Sequence, residues 1–254
     1  MEYHDFITKL NIPKSCELNQ NVYKSLFYDK GDIKYADKQI FIKDIEKITW
    51  LYTLKEDTIP ISPYLDDELD YSEIAVIEVE LRKNNRIERI AKIMQRTIPY
   101  PLIIIFKHNK EILLNLAHKR INKSDHEKAT FDYLIQTDWF CLDHLKELDK
   151  VFIDNIDFNS FTYLNFYQFY FDIINRVIAY KVSKYTGEFK IYDDQNIEEI
   201  IEILYEIENN EAKISSWQRK IKKEKQFNKK MDLNMKIKKL KNKNINLIDS
   251  LKEE

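Results

Sequence analysis

From Asn196 to Glu254 the chain has no glycine, no proline and no alternating β-type run. With apolar residues at helical spacing and nothing to break them, this stretch is expected to form one long helix or a helix pair. Ile207, Ile214, Ile221 and Asn228 lie seven apart, with Trp217 at an intermediate seam position. Leu233, Ile237, Leu240, Asn244, Leu247 and Leu251 then step alternately by four and three. Both halves are heptad-like but out of register, which predicts a bend or break between Phe227 and Met235.

The same scarcity of breakers holds along the whole chain, with two glycines and five prolines in 254 residues. Turns must therefore rely on Asn, Asp and Lys. Glycine-rich dinucleotide and phosphate loops are excluded as a class. Cys16 and Cys141 fit no metal spacing and make no disulfide framework, which points to a reducing interior. The most apolar stretch, Phe161 to Tyr180, contains Asn165, Gln168, Asp172, Asn175 and Arg176. It is not read as a membrane span, and no leader is visible, so a cytoplasmic protein is expected.

Three zones emerge. Residues 1–140 read as an α+β core with a small mixed or antiparallel sheet and flanking helices. "DKQIFIKDIEKI" reads as a helix with Asp37 as N-cap and apolar positions at 41, 42, 45 and 48. "TWLYTLKEDTIPI" reads as a strand, and "YLDDELDYS" as an acidic loop. "EIAVIEVELRK" alternates as a half-buried strand, with Ile77, Val79 and Leu81 opposite Glu78, Glu80 and Arg82. "RIERIAKIMQR" reads as an amphipathic helix carrying a Glu88–Lys92 pair. "PLIIIF" reads as a central strand and "EILLNLAHKRI" as the second arm of a hairpin, while "ATFDYLIQTDWF" offers one more strand. Residues 141–195 form a helical, aromatic-rich packing region. Residues 196–254 form a basic, coiled-coil-like C-terminal helix.

The net charge of −2 hides an asymmetry. Arg219 to Lys243 hold twelve basic residues and two acids, a net of +10. An acidic body thus carries a basic segment, and a partner responds to that local field.

Three functional readings follow. A nuclease would use Asp70, Glu78, Glu80 and Lys83, since helix, strand, acidic loop, "IEVELRK" and helix follow the order of restriction-endonuclease-like cores. That chemistry needs two acids on one face and a lysine two residues beyond the second. Arg82 takes that place and Lys83 points the other way. A nucleic-acid-binding subunit would use Lys222, Lys223, Lys225, Lys229, Lys230, Lys236, Lys238 and Lys239 against phosphates. A docking subunit would use Phe227, Asn228, Met231, Leu233, Asn234, Ile237 and Leu240, with seam asparagines setting partner choice. Self-association through the same helix is a further outcome of this pattern. His108, His118, His126 and His144 have no metal-like spacing, and "SDHE" at 124–127 reads as a polar loop. No metal, cofactor or catalytic residue is assigned.

"FIKDIEKITWLYTLKEDTIPI", "EIAVIEVELRK", "IMQRTIPYPLIIIF", "TDWF" and "KKEKQFNKKMDLNMKIKKLK" resemble, in that order, a bacterial family called domain of unknown function 4391. The resemblance implies genomic company with SNF2-type helicases and DNA methyltransferases, in restriction–modification-like or anti-phage defence loci. With the residues, it implies a non-enzymatic accessory subunit that docks on a helicase or methyltransferase through its C-terminal helix.

Overall fold

A computed structural model describes residues 1–29, 33–122, 129–131, 133–192 and 196–253, with the side chain of Glu253 excepted. It divides into two units, Met1–Val177 and Ile178–Glu254. The first unit begins with α1 (Tyr3–Lys9), β1 (Glu17–Asn21), α2 (Ser25–Asp29) and α3 (Tyr35–Asp44). The strands β2 (Ile45–Lys55), β3 (Tyr64–Leu65), β4 (Asp70–Tyr71) and β5 (Glu73–Leu81) follow. Next come α4 (Ile87–Thr97), β6 (Leu102–His108) and β7 (Glu111–Leu116). Four short strands, β8 (Arg120–Ile121), β9 (Ala129–Thr130), β10 (Ile135–Gln136) and β11 (Phe140–Cys141), lead into α5 (Glu147–Asn155) and α6 (Phe166–Thr186). The second unit takes the end of α6, then α7 (Ile197–Lys223) and α8 (Phe227–Glu253).

The fold is α+β around one mixed sheet of order β1-β2-β5-β6-β7-β10, with β11 also on β7. All neighbours are antiparallel except β5 and β6. That parallel pair is joined by α4, the crossover a parallel pair requires. Ile48, Ala75, Ile77, Val79, Ile104 and Phe106 form one sheet face, packed against α3 and α4 in a continuous core. The central strands are apolar on both faces over Ile74–Ile77 and Leu102–Phe106, as expected for strands covered on both sides.

The aromatic crowd of α6 is core. Phe166, Phe169 and Tyr170 are fully buried. Tyr170 Oη donates to Leu102 O at 3.0 Å and accepts from Ala117 N at 3.2 Å, so the ring seals the sheet with its polar tip satisfied. Lys119 is also fully buried, and its Nζ donates to Ile98 O and Tyr100 O at 2.7 and 2.8 Å.

Several local expectations change. Asp37 is not the cap of α3; Lys34 is, and the Asp37 carboxylate, in the first turn, forks onto Arg89 of α4. The helix ends at Asp44, so Ile45 and Ile48 belong to β2. A bulge between Ile45 and Lys47 turns both isoleucines to one face, which imitates a helical three-residue step. The acidic loop contains the β3–β4 pair, tied by Asp66 Oδ1 accepting from Glu68 N and Leu69 N. "ATFDYLIQTDWF" holds β9, β10 and β11 rather than one strand, with Asp132 outside the described residues. Between β10 and β11, Thr137 bonds Leu114 through both its N–H and its Oγ1, bridging the two short pairings with β7. Among the described residues no helix is long and apolar enough to cross a membrane.

Candidate functional site

In the second unit, α7 ends where Glu224 turns extended. Glu224 then accepts backbone N–H groups of Lys225 and Gln226 at 2.8 and 2.9 Å, which holds its carboxyl below the usual range. The break therefore falls at Glu224–Gln226, just upstream of the expected interval, and Phe227–Met235 is helical. A three-residue connection makes α7 and α8 an antiparallel hairpin. Asn210 Nδ2 donates to Asn244 Oδ1 at 2.8 Å, and Lys243 pairs with Glu206. Both asparagines are buried, as are Ile207, Ile214, Ile237 and Leu251. Folding back buries these two apolar stripes, which one continuous helix would leave exposed.

The hairpin sorts the docking residues into two sets. Ile237 is buried and Leu233 and Leu240 are half-buried in the seam. Phe227, Asn228, Met231 and Asn234 are exposed. Phe227, Met231, Met235 and Ile245 stand at i, i+4, i+8 and i+18, and so share one side of α8. They are 71, 46, 60 and 55% exposed. The seam residues are centred roughly 150° around the helix from them at 100° per residue. Asn244 is committed within the chain, while Met235 and Ile245 join the outward stripe. Their spacing was readable in the sequence once α8 was phased by its seam.

Antiparallel folding also brings two basic segments together. Lys220, Lys222 and Lys223 close α7, and Lys225, Lys229 and Lys230 flank the start of α8. Cations at a helix C-terminus complement its dipole, whereas Lys229 and Lys230 oppose that of α8, whose first turn has no acid. Lys236, Lys238 and Lys239 lie exposed farther along α8.

The nuclease set is only partly assembled. Glu78 and Glu80 share the sheet face opposite the α3–α4 core. Asp70 lies on β4 and accepts from Ser72 N; the rise of β5 alone carries Glu78 about 17 Å past Glu73. Lys83 lies beyond the strand end, exposed. The lysine that the spacing lacked comes instead from β6: Lys107 pairs with Glu80 in register and reaches it at 3.5 Å. Its Nζ also lies 4.9 Å from the Tyr3 ring. Among the described residues no three His, Cys, Asp or Glu cluster for a metal ion. His118 Nδ1 hydrogen-bonds Tyr71 Oη at 2.7 Å. His126, and residues 124–127 as a whole, lie outside the described residues.

No curated protein and no solved structure matches the chain. The sequence profile described as domain of unknown function DUF4391 matches residues 10–243, and the chain belongs to that family.

Proposed function

We infer that this protein is an accessory subunit that docks on a larger partner through the α7–α8 hairpin. The observation that carries the reading is the outward stripe of Phe227, Met231, Met235 and Ile245, which the intrachain seam does not use. Four large apolar side chains aligned on one exposed helix face suit a helix-in-groove contact. The proposed partner is a helicase or a DNA methyltransferase of a restriction–modification-like or anti-phage system, a reading that the family resemblance supports. Co-purification of the tagged full chain from its native host tests this. Met231→Asp with Met235→Asp should abolish recovery of the partner while the hairpin stays folded. Full recovery with that double variant would overturn the reading.

The paired basic segments favour a second role beside the first, contact with the phosphates of the partner's nucleic acid. Neutralising five lysines, Lys222, Lys223, Lys225, Lys229 and Lys230, should weaken duplex binding. If each meets one phosphate, wild-type affinity should fall about 500-fold between 50 and 200 mM salt. Salt-insensitive binding would exclude this role.

A further inference from the structure

Away from the hairpin, the second sheet face carries a polar cluster that docking leaves unused. Glu78 and Glu80 are two residues apart on β5, about 7 Å between Cα atoms. Thr49 is the cross-strand partner of Glu78 and shares its face. It is 8% exposed, and its Oγ1 has no hydrogen-bond partner among the described residues. Tyr3 Oη, from α1, is buried, and its hydrogen-bonding neighbour is the Glu78 carboxylate. Burial first, and the neighbouring Glu78 carboxylate next, push its phenol far above the ordinary range.

Buried hydroxyls without partners are costly and uncommon. Thr49 Oγ1, without a partner among the described residues and on the face of the Glu78 carboxylate, points to a species that completes the cluster. The donors are all oxygen. Hard divalent cations choose such donors, and Mg²⁺ commonly uses only one or two carboxylates and fills its remaining positions with water. Access is open at one end, where the Glu80 side chain is 40% exposed. Glu80 and Lys107 lie in register at the C-terminal ends of the parallel pair. Lys47 and Lys107 flank Glu80 on its two neighbouring strands. Their ammonium groups balance the carboxylates and compete with a cation.

We propose that Glu78, Glu80 and Thr49 form a site for one hard divalent cation, Mg²⁺ or Mn²⁺. The test is titration of the full chain with Mn²⁺, reading free ion by electron paramagnetic resonance. One Mn²⁺ per chain should bind and be displaced by Mg²⁺. Glu78→Gln and Glu80→Gln should each weaken binding at least tenfold, whereas Glu88→Gln, on exposed α4 surface, should leave it unchanged. Lys107→Gln should tighten binding several-fold, a change of opposite sign that a merely structural role would not produce. Thermal melting identifies any variant that has lost its fold, and Glu80→Gln, at the exposed end, serves if Glu78→Gln does so. Absence of stoichiometric Mn²⁺ binding at millimolar ion, or wild-type affinity in both glutamine variants, would overturn the proposal. The Met231→Asp, Met235→Asp double variant should bind Mn²⁺ normally, so this site and the docking face fail or stand separately.

Discussion

Two backbone carbonyls, those of Ile98 and Tyr100, hold the buried ammonium of Lys119. Burial pushes its pKa well below the ordinary lysine value. Unfolding therefore takes up a proton at pH values between its folded pKa and its unfolded value of about 10.4. Stability from this residue rises with pH across that window and falls as pH drops through it. Lys119→Met should flatten the alkaline rise when denaturation is compared at several pH values up to 10. Buried Tyr71 and Tyr170 act in the opposite direction in both proteins, so the difference isolates Lys119. Equal slopes would contradict the assignment. Asp37 gives the mirror case. Its hydrogen bonds from Arg89 hold its carboxyl low. Its contribution is present above an unfolded pKa of about 3.9 and is lost as pH falls through the folded value. Asp37→Asn should be less stable near neutral pH and lose less stability on acidification.

What could be read of single residues depended on whether a local rule governed them. Asn109 was legible: in a chain nearly without glycine it takes φ 55° at the β6–β7 turn, and Asn11 and Asn19 also adopt positive φ. Lys107 was not legible, because its place beside Glu80 is set by the pairing of β5 with β6, which no spacing within either strand reveals.

Among the elements, the hairpin seam rests on one polar pair. Asn210 and Asn244 satisfy each other where both neighbours along the seam are apolar. Asn244→Leu alone strands the Asn210 amide and should cost about 1–3 kcal/mol in chemical denaturation. Asn210→Leu with Asn244→Leu should recover most of that loss. A double variant as unstable as the sum of the singles would show that the pair does not act as a unit. Gly187, at φ 84° just after α6, is the left-handed position that ends that helix. Gly187→Ala should cost about 1 kcal/mol, through backbone strain, since no described residue lies within 4 Å of the added methyl. Strong periodicity made α4, α7, α8 and β5 legible. The start of β2 was not, because its bulge gives a strand the spacing of a helix.

At the scale of the whole molecule, the two units differ in character. The first is a mixed sheet covered on both faces, with a cation site proposed on one of them. The second presents a helical hairpin whose inner face is closed by its own residues and whose outer face is apolar and basic. The division between inner and outer faces was only half legible. Heptad steps mark a seam, but only the turn at Glu224–Gln226 shows that the chain itself fills it. The central claim is that a partner meets the outer face of α8. A photo-crosslinking amino acid placed singly at Met231, Met235, Ile237 or Leu240 in the full chain tests it most directly in the native host. The account predicts crosslinks to one partner from positions 231 and 235, and none from the seam positions 237 and 240. Crosslinks from the seam positions alone, or from none of the four while the partner still co-purifies, would contradict it.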